Sequence, residues 1–497
     1  MKSASTPFSL FILALAAFFI VSCAQPAVLT VTVPPEHDAL WRELMAIAPP
    51  PDGVTVEPAP DGAIRIVETI GVSSHNADPQ PAVIHRTWLA PTAPLWDLQA
   101  VASALSDLKP VNEIVLPDRA LPVDGLYPDD PDYPLVREVA LVITPPDPDA
   151  VPRRLRDGVS EWLGALRAAV DQVATVSTAP PDLVWIAGVG DIMLERGMPG
   201  LLLRDDGLDL VFSNVLPLML EADLLLGNLE GAVSRRGRAL EKGFTFRFDP
   251  LVMGPLERAG FDYLSIVNNH SYDYGEIAFL DSIDYLAAST IGTSGVGRNL
   301  AEASQPWIVS VDGTEVRVLA AGAYPIERSG FDGARSTVAG EGRPGVLWAG
   351  PRNPLAQRQM FAAMEQAFSD DSFDIVSVHG GAEWATAPDA RQRELYRDLV
   401  DRGADLVLGH HSHVVQGLEA YRGRLIAYSL GNFVFPGMFV TEYGEQSVLL
   451  RIGVVDGTIR YVEPVPVTID HQLLRLDTGT ALSDRLEAAT RVLAGVE

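Results

Sequence analysis

ADLVLGHHSHVVQGLE, residues 404–419, is a short apolar run that stops on three histidines, His410, His411 and His413. The chain has nine histidines, so a third of them stand at one strand end. An apolar run of this length, preceded by a helical pattern, reads as a buried strand of an α/β layer. In open α/β sheets ligands bind beyond the carboxyl ends of the strands. The histidines stand where such a site is built.

The same pattern recurs on both sides. DLVWIAGVGD, ADLLLGNLE, DYLSIVNNH, EVRVLAAGAY, FDIVSVHGG and RLIAYSLGNF are further strand-length apolar runs. Helical segments alternate with them, among them EIAFLDSIDYLAAS, PLAQRQMFAAMEQAF and ARQRELYRDLVDRG, the last with Gly403 just past its end. This alternation predicts an α/β domain with buried, largely parallel strands. SVLLRIGVVDGTIRYVEPVPVTI predicts a closing hairpin turning at Asp456-Gly457, and ALSDRLEAATRVLAG a terminal helix.

The strand ends share one chemistry. They carry Asp191, then Asn228 and Glu230, then Asn269 and His270, then His379, and finally the histidine cluster. Oxygen donors mixed with imidazoles suit Mn, Fe or Zn. The number of donors exceeds one four-ligand zinc site and fits two divalent ions. Such ions polarise a scissile bond and lower the pKa of water, which suits hydrolysis. Pleat alternation puts His411 and His413 on one side of an extended segment and His410 on the other. His411 and His413 are therefore expected as ligands, and His410 as a supporting or core residue. Gly409 is expected to let the backbone pass close to a metal. Asp273 reads either as the group orienting His270 or as an exposed turn acid. Glu383 reads either as a partner of a ligand histidine or as a solvated loop acid. Lys242 and Arg247 flank the alternating GFTFRF stretch and are candidates for holding an anionic substrate. Tyr428, Ser429 and Asn432 are expected to support the metal loop through hydrogen bonds.

The formal net charge of −28 on 497 residues argues against nucleic acid as a partner, since no basic stripe offsets it. Composition is otherwise that of a globular chain, with 47% hydrophobic residues, and the length suggests two or three domains. The single cysteine, Cys23, ends an apolar run from Phe8 to Val21 that is too short to span a membrane. Ile20-Val21-Ser22-Cys23 resembles a bacterial lipobox, which implies a signal peptide over 1–22 and a lipid on Cys23. That places the chain on the extracytoplasmic face of the membrane. Residues 23–178 are expected as an N-terminal α/β domain; one stretch of it, Val111 to Ile143, loosely resembles periplasmic solute-binding proteins. Residues 179–470 are expected as the main domain and 471–497 as a C-terminal helix.

GDIML, GNLEGAVS, NNHSYDYG, GVGRNLAEA, the long stretch 378–419 and YSLGNFVF occur in that order. Together they resemble the CapA domain of bacterial poly-gamma-glutamate capsule proteins, relatives of calcineurin-like metallophosphoesterases. The resemblance implies a metallophosphoesterase-like four-layer α/β/β/α sandwich. It implies a dinuclear site lined by Asp191, Glu230, Asn269, His379, His411 and His413, with His270 where phosphoesterases keep a proton-donating histidine. It implies an anionic extracellular polymer, or its synthase complex, as partner. Two departures stand out. Met193 occupies the position of a usual histidine ligand, which leaves the second ion one imidazole short. The second motif, Gly227-Asn228-Leu229-Glu230, has its own spacing, so either Asn228 or Glu230 is the bridging residue. A metal-dependent hydrolase and a non-catalytic accessory module are the two functions this pattern allows.

Overall fold

The computed structural model describes residues 27–496, apart from 53, 60–63, 72–81, 99, 101–107, 124–125, 131–132, 134, 145–150 and 174–181. Cys23 and the 1–22 segment lie outside the described residues. The chain divides into two compact units, one of residues 1–86 with 137–178 and one of 87–136 with 179–497.

In the smaller unit the strand Ala27–Thr32 runs parallel to Val54–Pro58 and Ile64–Gly71. The helices Asp38–Ile47 and Arg156–Val173 bury Leu44, Trp162 and Leu166 in one core with Leu29, Ile64 and Leu141. The Trp162 indole N–H donates to the Ala48 carbonyl at 2.9 Å, so its polar edge is satisfied inside that core.

The continuous N-terminal domain expected over 23–178 differs from this division, because residues 87–136 fall with the larger unit. The reason is packing. Ala90, Val111, Ile114 and Ala120 share a core with Leu183, Trp185, Val455 and Tyr461. The Tyr127 hydroxyl donates to Glu463 at 2.6 Å.

The larger unit is built on two sheets. In the first, Tyr263–Ser265, Leu224–Leu229 and Leu183–Ile192 are parallel neighbours. Asn432–Val434 adds to Leu183–Ile192 in parallel beyond the edge where Gln446–Val455 pairs antiparallel. Gln446–Val455 turns back as Thr458–Asp470 through Asp456 and Gly457, both with positive φ (50° and 66°), the geometry of a tight hairpin turn. In the second sheet Thr314–Ala323, Phe373–Gly380, Leu406–His410 and Arg424–Ala427 are parallel, with antiparallel strands at both margins.

Alternation along these strands sorts the layers. Val184, Ile186, Val316, Ile375 and Leu406 meet between the sheets. Ala187, Val189 and Leu225 point to the other face of the first sheet, where the helices Met253–Arg258 and Gly275–Ala287 cover them. Leu319, Val376 and Val407 point to the far side of the second sheet, under the helices Pro354–Ala367 and Ala390–Asp401. The result is the four-layer α/β/β/α sandwich expected from the sequence.

The stretch RLIAYSLGNF is two strands, not one. Arg424–Ala427 lies in the second sheet and Asn432–Val434 in the first, so residues 428–431 cross between sheets. The crossing explains two glycines. A Cβ on Gly190 would stand 2.2 Å from the Gly431 carbonyl oxygen, and one on Gly409 2.0 Å from that of Tyr428. Gly409 thus makes room for neighbouring backbone, rather than for a metal as its sequence position suggested.

Candidate metal centre

Strand register brings the polar residues together. On the first sheet Asn228 and Asn432 each lie beside Asp191. On the second, His379 lies beside His410. Glu230 follows the second strand directly. Residues 266–274 form turns after the short Tyr263–Ser265 strand, and they carry Asn268, Asn269, His270 and Asp273 inward. All of these side chains are buried.

Oxygens of Asp191 and Glu230 and a ring nitrogen of His379 lie within 4.8 Å of one another. Around Glu230 Oε1 stand His413 Nε2 at 3.7 Å, His270 Nε2 at 3.8 Å and His379 Nε2 at 3.9 Å. Neither Glu230 oxygen accepts a hydrogen bond, although the residue is fully buried. Burial, with Asp191 adding to it, holds the Glu230 carboxyl well above its usual range. A buried acid without partners is costly unless a cation shares the space. The donor set and this orphaned carboxylate therefore fit divalent metal.

Neighbours fix the remaining groups. Asn228 donates to Asp191 Oδ1 at 2.8 Å and approaches His379 Nδ1 at 3.3 Å. Asn268, which the sequence reading did not select, donates to Asn228 Oδ1 at 3.2 Å and to the Leu229 carbonyl at 2.9 Å. Asn269 Oδ1 sits 2.9 Å from His379 Nε2. His411 Nδ1 lies 3.1 Å from the same nitrogen, and its backbone N–H donates to Asp191 at 3.2 Å. Asn432 holds His413 twice, by Oδ1 to Nδ1 at 2.9 Å and by Nδ2 to the His413 carbonyl at 3.1 Å.

Pleat alternation is not what aims the histidines. The strand ends at His410, and His411 and His413 take positive φ values of 88° and 57°. A left-handed turn, costly for residues with a Cβ, swings both rings inward. His410 also reaches this neighbourhood, with Nδ1 3.3 Å from Asp191 Oδ1 but out of hydrogen-bond alignment. Burial works against ionising Asp191, yet His410 and His413 beside it hold its carboxyl well below the usual range. Burial also opposes charging His413, but Glu230 and Asp191 push it up to about 9. His411 is pulled down to about 3 by burial and then by His413. Met193 is fully buried in the apolar core beneath the helices.

His270 and Asp273 form a dyad, Nδ1 to Oδ2, at 2.6 Å. Asp273 is buried, not an exposed turn acid, and it accepts from the Phe246 backbone N–H and from Lys242 Nζ, both at 2.7 Å. Lys242 also donates to the Asn269 carbonyl at 2.6 Å and pairs with Glu327 at 2.7 Å. Its three protons are engaged internally, so it braces the dyad instead of reaching a substrate. Arg247 lies over the Tyr274 ring at 4.1 Å and donates to the Arg236 carbonyl, away from the cavity. Burial pulls the His270 imidazole below its ordinary value, against the opposing pull of Asp273.

The site opens into a cavity of about 520 Å³. His270, His413 and Asn269 form its floor, and Glu383 lies on its wall. Arg196, Arg328 and Trp384 also line it. Sequence reading passed these three over. Trp384 sat in plain view in the 378–419 motif, whereas nothing local marks the arginines.

The profile of a family described as bacterial capsule synthesis proteins (PGA_cap) matches residues 185–437. The capsule biosynthesis protein CapA of Bacillus anthracis is 28% identical over 305 residues, 60% of this chain and 71% of its own. The PGA biosynthesis protein CapA of Bacillus subtilis (strain 168) is 31% identical over 278 residues, 55% of this chain and 68% of its own. A protein of Mycobacterium tuberculosis named "Probable polyglutamine synthesis accessory protein" is 29% identical over 263 residues, 51% of this chain and 68% of its own. A solved phosphatase from Mycoplasma pneumoniae aligns with 58% of this chain and 94% of its own at 12% identity and a TM-score of 0.35. With half of the chain matched in sequence, from the first central strand to the loop beyond the inter-sheet crossing, the chain belongs to the bacterial capsule synthesis protein family.

Proposed function

We propose that this chain is a metal-dependent hydrolase of the extracytoplasmic face that acts in synthesis or processing of a capsule polymer such as poly-gamma-glutamate. The observation that carries the reading is the buried, unpartnered Glu230 carboxylate among imidazoles, facing a braced histidine–aspartate dyad at a cavity floor. Asp191, Glu230 and His379 are the residues to hold an ion, with Asn228, Asn269, His411 and His413 completing the donor set for a second. When bound, such ions supply positive charge that polarises the scissile bond and acidifies water. The chain's own residues do the rest. Asp273 accepts the hydrogen bond of His270 Nδ1–H and fixes its ring, which turns Nε2 toward the site; in the imidazolium form, which Asp273 favours, Nε2–H is the proton passed to the leaving group. Lys242 and the Phe246 N–H hold Asp273 still.

His270→Ala tests this. The variant should keep its metal, measured by elemental analysis. It should lose turnover by roughly 10²–10⁴-fold on a phosphodiester or γ-glutamyl substrate with a poor leaving group. The loss should shrink with a good leaving group, which needs no proton. Loss of metal would make His270 a ligand, and undiminished turnover would remove it from the chemistry.

The second reading is an accessory module that binds polymer without cutting it. Met193 favours it, since an apolar, core-packed side chain stands where phosphoesterases place a histidine. Absence of turnover by the wild-type protein, with metal bound, is the result that would favour it. Anchoring belongs to the same proposal. Among the described residues no helix is long and apolar enough to cross a membrane. A lipid on Cys23 would hold the protein there, and Cys23→Ser should release it from the membrane fraction; an unmodified Cys23 in the intact mass would contradict this.

A further inference from the structure

Lys242 and Arg247 do not face the cavity, yet an acidic protein that handles an anionic chain needs local positive charge. Two other arginines supply it. Arg328 is exposed on the cavity wall, and no carboxylate pairs with it among the described residues. Arg196 donates by Nη1 to the Pro436 carbonyl at 2.5 Å and lies 5.8 Å from the Phe246 ring centre, again with no carboxylate partner among the described residues. Glu327 is the nearest acid in sequence to Arg328, but it is engaged with Lys242, Asn269 and Ser329. Glu383 is the acid that remains on the wall.

The wall is also held in place. Arg196 has φ 54° and Trp384 has φ 64°, both left-handed. Such backbone is costly without glycine and persists where surrounding contacts impose it. The Trp384 N–H donates to the Ser412 carbonyl at 2.8 Å, within the histidine turn, and its ring lies 5.2 Å from that of His413. Arg196, Trp384 and His413 thus share left-handed backbone around one cavity, with His411 in the turn behind it.

We propose that Arg196 and Arg328, with Trp384 and Phe246 as an aromatic wall, form a subsite for an anionic group of the substrate outside the bond that is cut. This rests on the hydrolase reading for the word substrate, but the binding it describes stands apart from turnover. Arginine recognises carboxylate and phosphate alike through paired N–H donors. The chemistry is therefore an anionic chain, with carboxylates or phosphates as its source.

Binding of three labelled octamers, followed by fluorescence anisotropy, tests it: γ-linked glutamate, glycerol phosphate of equal charge, and neutral γ-linked glutamine. Arg196→Gln and Arg328→Gln should each weaken the preferred anionic octamer by roughly three- to tenfold, with a shallower salt dependence. The neutral octamer should bind wild type and variants alike. Metal content should stay unchanged, and Arg328→Lys should restore part of the affinity. The tighter of the two anionic octamers identifies the source of the charge. Unchanged affinity in the double variant, equal weakening of the neutral octamer, or no binding of either anionic octamer to wild type would overturn the subsite. Failure of the hydrolase reading would look different, as absent turnover with arginine-dependent binding intact.

Discussion

Glu230 is the residue on which the site turns. Its carboxylate is buried with neither oxygen hydrogen-bonded, and Asp191 stands beside it. Without metal this arrangement opposes folding, because a desolvated acid meets another acid. With metal it becomes the reason an ion binds. Glu230→Gln should therefore act in opposite directions in the two states. In chelator, chemical denaturation should show the variant more stable than wild type by about 1–3 kcal/mol, the scale of an unsatisfied buried group. With Mn or Zn in excess, wild type should be the more stable, and the variant should retain less than one ion per chain. A variant less stable than wild type in chelator would mean that Glu230 is satisfied in some way the geometry does not show.

At the scale of elements, two parallel strands of the second sheet, Phe373–Gly380 and Leu406–His410, start at buried acids. Asp374 accepts from the Ser369 backbone N–H at 2.9 Å and the Ser372 hydroxyl at 2.9 Å, while Asp405 accepts from the Asp374 backbone N–H at 2.7 Å and pairs with Arg424. Burial pushes both carboxyls up to about 6. A raised carboxyl pKa contributes stability that is complete below about 3.8 and lost as pH rises through 6. Asp374→Asn should remove its share of that loss. The variant's advantage over wild type should grow between pH 4 and pH 6.5 and then level off, at about 1 kcal/mol once solvent screening is allowed for. A difference that is flat with pH would refute the shift. Elements of this kind were largely legible in the sequence. Strand runs, the Asp456-Gly457 turn and the helix ending before Gly403 follow from local pattern. The crossing at 428–431 was not, because YSLGNF continues the apolar run and only long-range pairing shows that it changes sheets. The site divides along the same line. Asp191, Glu230 and His379 mark themselves by standing at strand ends. Lys242 misleads because its partners, Asp273 and Glu327, are distant in sequence, and Arg196 and Arg328 are hidden for the same reason.

At the scale of the whole larger unit, the helix Ala481–Ala494 closes one end of the sandwich. Leu482 and Leu486 enter the layer between the sheets, and Leu493 joins the core beyond the second sheet. Arg485 donates to the Val415 carbonyl at 2.9 Å, and the Thr490 hydroxyl accepts from the Leu418 N–H at 3.1 Å, just past the histidine turn. Ending the chain after Leu476 should lower the thermal midpoint by several degrees and weaken metal binding together, as measured by calorimetry and metal titration. An intact midpoint would show that the helix is dispensable to the core. The register of the two sheets has one more consequence. Asp191 lies in the first sheet and Glu230 just past its strand Leu224–Leu229, whereas His379 lies in the second sheet and His411 and His413 just past its strand Leu406–His410. An ion held by both sets is a rivet between the sheets. Demetallation would then do more than empty the site: it would loosen the tie between the C-terminal ends of the two sheets, leaving apolar packing and hydrogen bonds such as His411 N–H to Asp191 to join them.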